Sequence, residues 1–384
     1  MSNEPSLRTR TFIIADDLTG ACDTAVALSS RGASTEVLID SEASGSADVE
    51  VRAICTETRD TSSDQAVEAI HRIAQLVQLR PESGQYHQIF KKIDSTFRGN
   101  TFHEIRAIFD AFPDHFAVVA PAYPAVGRVA VDGVVKVRDV AGETSIAVRD
   151  GLAGVGLRPL WIAGGQSARE VERQMSYVLR GGGRMVFCDA ASESDLCVVI
   201  EAARRVDIAD KTRRPVLWVG SAGLAHALAE DLLASEVRRV TVEPRDTGST
   251  IIFAGSKHPV TRRQIADLNE QMGEQMLSQN ILVVRVECGQ TTLDEIRDAV
   301  GKLKAETVSC MVMTGGDTAM LVCRALGVQS LRLHEEFEPG IPHATLVGGS
   351  FNGCMAIFKS GGFGTVDILS RIARQFSPER VAPL

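Results

Sequence analysis

The chain has 384 residues, 44% hydrophobic and 23% charged, and its 41 basic against 49 acidic residues leave a net charge of −8. That balance fits an ordinary globular protein of two or three domains and argues against non-specific binding to nucleic acid or membrane, while leaving room for a local basic pocket. No apolar run approaches the length of a membrane span, and the opening MSNEPSLRTR lacks the apolar core of a signal peptide, so a cytoplasmic protein is expected.

In chain order, the dominant pattern is a short apolar run, a Gly/Asp/Ser-rich turn and an amphipathic stretch. TFIIADDLTGACDTAVALSSRG reads as a strand, an acidic turn and a helix closed by Gly32. STEVLI and VRAICTETR read as further strands, and SSDQAVEAIHRIAQLV repeats apolar residues at helical spacing. YHQIF leads into the polar KKIDSTFRGN and then a helix-like TFHEIRAIFD. FAVVAPAYPAVGR is a strand running into a loop stiffened by Pro121 and Pro124. GGRMVFCDA, ESDLCVVIEAARRV and RRPVLWVGSAGLAHALAEDLL follow as strand, helix, strand and helix. Such alternation predicts parallel strands with crossover helices, hence the α/β class.

The polar VTVEPRDTGS is the best linker candidate. Beyond it the alternation restarts with TIIFAGS, PVTRRQIADLNEQM, ILVVRV, TLDEIRDAVGKLKAE and VSCMVMTGGDTAMLVCRALG, followed by a Gly-rich tail. Two α/β domains are expected, 1–240 and 248–384, with mainly parallel sheets flanked by helices and the active site in the cleft between them. The eight Cys are scattered without a CxxC pair, as expected of reduced thiols buried in apolar runs.

Three turns of the second half share one design. Gly255 and Ser256 follow one buried strand, Gly315, Gly316, Asp317 and Thr318 the next, and Lys359, Ser360, Gly361, Gly362 and Gly364 a third. Open α/β sheets bind ligands at the carboxyl ends of their strands. Glycine lets the main chain approach a phosphate, and helix-start N–H groups favour an anion. A nucleotide site is expected, although neither GxxxxGK[ST] nor GxGxxG is present. Lys359 is a candidate to neutralise phosphate, and Asp317 to hold a metal or a sugar hydroxyl.

The first half carries different chemistry. ADDLTGACD sets Asp16 and Asp17 side by side at a strand end, where mutual repulsion calls for a cation, a hydroxylated ligand or a helix start. Helix capping by Asp17 or Thr19 is the simpler explanation. TETRD supplies Arg59, KKIDSTFRGN supplies Lys92, Asp94, Ser95 and Arg98, and PAYPAVGR ends in Arg128. Ser221 and Gly223 of VGSAGLA read as a close-packed corner. Carboxylates for hydroxyls, beside cations for an anion, suit a small polyhydroxy acid. Phosphoryl transfer to it follows from the nucleotide turns. On the residues alone, two other functions stay open: a non-catalytic sensor of sugar acid and nucleotide, and a metal-dependent hydrolase or isomerase built on Asp16 and Asp17.

The words ADDLTGACD, TETRD, KKIDSTFRGN, PAYPAVGR, VGSAGLA, TGGDTA, EPGIP and KSGGFG, in that order over residues 15–364, resemble the four-carbon acid sugar kinases, formerly a domain of unknown function. The resemblance implies a sugar-acid-binding N-terminal domain and a nucleotide-binding C-terminal domain. It further implies phosphorylation of a threonate, erythronate or 3-oxo-tetronate type acid by ATP with Mg²⁺, usually at the terminal hydroxyl, and allows for a homodimer. Carried onto this chain, the substrate side is Asp17, Arg59 and Lys92 to Ser95, and the ATP side is Ser256, the Gly315–Thr318 turn and Gly361. Either Asp17 or Asp94 is the expected base, and no metal ligands are specified. The segment GLAGVGLRPLWIAGG departs from the family pattern.

Overall fold

The computed structural model describes residues 10–40, 45–46, 49–79, 86–139, 142–209, 214–232, 248–273, 280–287 and 289–376. Most of the expected linker VTVEPRDTGS lies outside them. The strands of the first half are β1 (Arg10–Ala15), β2 (Thr35–Leu38), β3 (Val51–Cys55), β4 (Tyr86–Lys92), β5 (Phe116–Ala120), β6 (Arg128–Val131), β7 (Val134–Asp139), β8 (Gly142–Ala147), β9 (Leu160–Ile162), β10 (Met185–Cys188) and β11 (Val216–Gly220). Those of the second are β12 (Ser249–Ala254), β13 (Ile281–Arg285), β14 (Val308–Thr314), β15 (Ser330–Glu338), β16 (Ile341–Val347) and β17 (Met355–Lys359). Two compact units result: Met1–Ser34 with Asp48–Arg238, and Thr35–Ala47 with Arg239–Leu384.

The first unit carries strands in the order β3-β1-β4-β11-β5-β10-β9, all paired in parallel. β1, β3, β5, β10 and β11 are buried almost end to end, as apolar strands covered on both faces must be. The steps β3 to β4 and β4 to β5 run one way along the sheet, through the helices Ser63–Leu79 and Thr101–Ala111, which pack together. The steps β9 to β10 and β10 to β11 run back, through Ala168–Arg180 and Glu193–Ala209, which also pack together. Right-handed crossovers with opposite steps put the two helix pairs on opposite faces. All these crossovers leave the carboxyl ends of the strands free to carry a site.

Between β5 and β9 the chain makes an antiparallel three-stranded excursion, β6-β7-β8, that the alternation does not announce. It is pinned to the main sheet by a bridge from Ala130 to Ala190 and by Gly133 N–H donating to Asp189 Oδ1 at 3.2 Å. The segment GLAGVGLRPLWIAGG forms the end of the helix Val148–Gly154 and the edge strand β9, whose Trp161 packs on Phe187 at 4.3 Å.

The second unit begins in parallel, β13-β12-β14-β17, and continues antiparallel through β16 and β15. What reads as a Gly-rich tail thus holds two of its longest strands. β2, from the first half of the sequence, pairs antiparallel with β15, Ser330 opposite Leu38. One core of this unit joins Ile252, Val312 and Ile357 of the sheet to Leu268, Ile368 and Ile372 of the helices Pro259–Met272 and Ile368–Phe376. The seven described cysteines are free, and six of them are buried. Among the described residues no helix is long and apolar enough to cross a membrane.

Candidate functional site

In the first unit the chemistry gathers at the carboxyl ends of β1, β3 and β4. Asp17 does cap the helix Leu18–Ser29: its Oδ1 accepts from Gly20 N–H at 2.8 Å. It does more than cap. Its Oδ2 accepts from Thr19 Oγ1 at 2.7 Å and from Arg59 Nη1 at 2.7 Å. Arg59 also donates through Nε to Asp16 Oδ2 at 2.8 Å, and its Nη2 lies 3.6 Å from Asp94 Oδ1. One guanidinium therefore ties together three carboxylates from two strand ends. Although burial opposes its charge, the attraction of Asp17, Asp16 and Asp94 raises its pKa further. Burial by itself would push Asp16 up, yet Arg59, Lys91 and Lys92 outweigh it and hold the carboxyl below its usual value.

Asp94 organises the KKIDSTFRGN turn. Its Oδ2 accepts from Thr96 N–H, Thr96 Oγ1, Arg98 N–H and Arg98 Nε, and its Oδ1 from Arg98 Nη2 at 2.7 Å. Burial disfavours this charge, but the Arg98 hydrogen bonds and the attraction of Arg59 prevail and depress its pKa far below the carboxylate range. Gly99, at φ +68°, presses against the Arg59 backbone, where a Cβ would fall 2.4 Å from the Arg59 carbonyl oxygen. Asn100 then bonds the carbonyls of Thr58 and Thr61 at 2.8 and 2.9 Å. Two non-glycine residues with positive φ, Glu57 and Phe97, lie in these same loops, where backbone strain commonly accompanies function.

Lys92 is different. It is 5% exposed, and its Nζ stands 3.0 Å from where a Gly20 Cβ would be, over the first turn of the capped helix. Among the described residues its ammonium makes no hydrogen bond or ion pair, though its charge helps to hold Asp16 ionised. Its neighbour Lys91 points to the opposite face of β4, as strand geometry requires. There it pairs with Glu104 Oε2 at 2.9 Å. Thr58 donates to Glu104 Oε1 and is itself 2.7 Å from Thr56 Oγ1, so a buried polar network underlies the loops. Lys91, Thr56, Thr58 and Glu104 escape sequence reading. The signal available was a lysine just inside an apolar strand, which needs a buried acid. Ser95 is half-buried beside Asp94. Ser221 Oγ donates to Ala122 O at 2.9 Å and Gly223 abuts Tyr123, which makes that corner a packing feature.

In the second unit the three glycine turns meet. A Cβ at Gly255 would fall 2.1 Å from Thr318 Oγ1, and one at Gly361 would fall 2.3 Å from Ser256 Oγ. A Gly315 Cβ would lie 3.4 Å from Ser256 Cβ. The reason is topological: the turns leave β12, β14 and β17, which are adjacent and parallel. Thr314 Oγ1 accepts from Gly255 N–H at 3.2 Å, and Gly315 N–H donates to Lys359 O at 2.8 Å. Asp317 is exposed in the first turn of the helix Gly316–Leu326, and Gly362 is exposed beside the His258 ring.

Lys359 is fully buried. Its Nζ donates to Thr261 Oγ1 (3.1 Å) and to the carbonyls of Ser360 (3.1 Å), Gly361 (3.4 Å) and Phe363 (3.3 Å). Burial pulls its pKa down to about 7. Gln264 continues the clamp, bonding the carbonyls of Phe363, Gly364 and Thr365. Thr261 and Gln264 too were invisible in the sequence, because the helix that carries them lies about 100 residues from the loop they hold.

A charged cluster on one α/β unit and converging main-chain turns on another are the arrangement expected of a sugar-binding domain followed by a nucleotide-binding domain. Family models so described match residues 11–228 (sugar-binding N-terminal domain) and 289–369 (nucleotide-binding C-terminal domain). The chain belongs to the four-carbon acid sugar kinase family. It is 29% identical to D-threonate kinase of Salmonella typhimurium, over 92% of this chain and 95% of the relative. It is 27% identical to 3-oxo-tetronate kinase of Burkholderia multivorans, over 94% and 96%. A crystal structure of a Haemophilus influenzae protein shares the fold with a TM-score of 0.69 at 22% identity, covering 95% of this chain and all of that one.

Proposed function

We propose that this protein is an ATP-dependent kinase that phosphorylates a four-carbon sugar acid of the threonate, erythronate or 3-oxo-tetronate type on its terminal hydroxyl. The observation that carries the reading is the partition of chemistry. The first unit offers hydroxyl-binding carboxylates and, at Lys92, a buried ammonium that makes no hydrogen bond or ion pair among the described residues, while the second offers main-chain amides on glycine turns. The names of the relatives support the same reaction.

In this reading Lys92 receives the acid's carboxylate, with Ser95 beside it. Arg59 fixes Asp16 and Asp17 against their mutual repulsion. Asp17 orients and deprotonates the hydroxyl. Asp94, saturated with donors and low in proton affinity, shapes the turn and is set aside as base. The residues at Gly255–Ser256, Gly315–Thr318 and Gly361–Gly362 cradle the phosphates. The exposed Asp317 would be a ligand for magnesium, which needs few protein ligands beside phosphate oxygens and, when bound, would neutralise phosphate charge. Positioning and electrostatics supply the rest of the catalysis.

The test is ADP release with ATP and a panel of four-carbon acids, on wild type, Asp17→Asn and Asp94→Asn. Turnover with one acid, abolished in Asp17→Asn, is expected. Binding without turnover across the panel would favour a sensor, and conversion of an acid without ATP would favour a hydrolase or isomerase.

A further inference from the structure

Among the described residues two lysines are completely buried at strand ends, Lys91 and Lys359, and only the first has a counter-charge. Lys91 meets Glu104. Around Lys359 Nζ stand Thr261 Oγ1 from the helix Pro259–Met272 and the carbonyls of Ser360, Gly361 and Phe363 from the loop, all neutral. Its partner on β14 is Thr314, also neutral. The titratable and charged side chains against the same loop are His258, whose ring lies 3.3 Å from a Gly362 Cβ position and whose Nδ1 accepts from Val260 N–H, and, at its far end, Asp367 and Arg371, which both bond Thr365 Oγ1. Among the described residues no carboxylate pairs with Lys359.

The pattern of acceptors fixes the display of the loop. In a trans peptide the N–H points opposite to the C=O of the preceding residue. Drawing the carbonyls of Ser360 and Gly361 inward to the ammonium turns the N–H groups of Gly361 and Gly362 outward. Neither N–H makes a hydrogen bond among the described residues. Successive amides aimed the same way form an anion-binding concavity. Behind them sits the Lys359 amine, with no carboxylate beside it among the described residues.

We propose that Lys359 is a positioning residue that serves the nucleotide without touching it: its ammonium turns the loop amides outward, and anion binding on them is coupled to proton uptake at Lys359 Nζ. The inference rests on reading the second unit as the nucleotide site. A phosphate chain on the outer face supplies the missing counter-charge and favours the protonated amine. Burial lowers the Lys359 pKa to about 7, so above neutrality an anion on the outer face draws a proton onto Nζ as it binds.

The test is calorimetry of MgADP binding to the full chain in paired buffers of low and high ionisation enthalpy. Near pH 8, where the nucleotide phosphates are fully ionised, uptake of about one proton per nucleotide is expected, falling toward zero near pH 6. Lys359→Met is expected to bind roughly tenfold or more weakly and without uptake. Lys359→Arg, permanently charged, restores affinity but not uptake. Identical enthalpies in both buffers with MgADP binding intact would overturn the inference and leave the nucleotide site standing. Uptake that survives in Lys359→Met would assign it to His258 and overturn the inference equally. No MgADP binding at all would remove the nucleotide reading, and this inference with it. Should Lys359→Met fail to fold, the wild-type buffer pairs across pH decide the matter.

Discussion

Lys91 Nζ lies 2.9 Å from Glu104 Oε2, and both side chains are sealed from water beneath the loops that carry Arg59 and Asp94. The pair draws in Lys92 O at 2.6 Å on one side and Thr58 on the other, while Thr56 Oγ1 donates to Ala15 O at 3.0 Å. It thereby locks the ends of β1, β3 and β4 to the start of the helix Thr101–Ala111. Removing one member leaves a buried charge unmatched, at a cost of about 3–5 kcal/mol. Lys91→Met should therefore lower the urea midpoint strongly, and Lys91→Met/Glu104→Leu should recover much of the loss. Urea unfolding followed by the fluorescence of the buried Trp218 checks this. A double variant no better than the singles would refute it.

The two substrate-side cations should respond differently to truncation. Arg59 is bonded to Asp16 and Asp17, so Arg59→Met strips two buried carboxylates of their ion-pair partner and should cost about 3–5 kcal/mol of stability. Lys92 makes no ion pair or side-chain hydrogen bond among the described residues, so its truncation removes only a longer-range attraction to Asp16. Lys92→Met should keep the wild-type melting temperature to within a few degrees and raise KM for the acid by roughly a hundredfold, the worth of a charge-assisted hydrogen bond. Melting curves beside acid saturation kinetics separate the two cases.

Asp94 gives a pH prediction with a definite sign. Its folded-state pKa is depressed, so its stabilising contribution is complete above the unfolded value of about 3.9 and is lost as pH falls below it. Asp94→Asn should be less stable than wild type near neutrality, and the gap should begin to narrow below about pH 4 and go on narrowing to the lowest pH at which the protein stays folded. A gap that widens on acidification would contradict the hydrogen-bond geometry.

The nucleotide turns can be tested by adding one methyl group. Gly255→Ala places a Cβ 2.1 Å from Thr318 Oγ1, which must move. KM for ATP should rise roughly tenfold or more while KM for the acid stays unchanged, since a displacement of an ångström or so in positioning residues carries a cost of that order. Thr318→Ala on the same background should recover part of the loss. An equal effect on both substrates would point to general unfolding instead.

Much of this was legible along the chain. Alternating apolar runs and helical periods gave the α/β class, because strand and helix repeats are local properties. The strand-end words located Asp16, Asp17, Arg59, Lys92 and Asp94, and the glycine turns at 255, 315 and 361, because ligand chemistry in such sheets sits at carboxyl ends. The antiparallel β6-β7-β8 excursion and the β15–β16 hairpin stayed hidden. Their partners are chosen by long-range pairing, which leaves little local trace.

By itself, then, the sequence determined which groups are available and at which strand ends they stand. Only the tertiary structure decided where they stand: Arg59 and Arg98 are already matched by carboxylates, the Lys92 ammonium makes no ion pair or hydrogen bond among the described residues, and Lys359 faces inward on carbonyls. The physical reason is that a side chain's charge is fixed by its type, whereas its counter-charge comes from residues tens of positions away that only folding brings within hydrogen-bond reach.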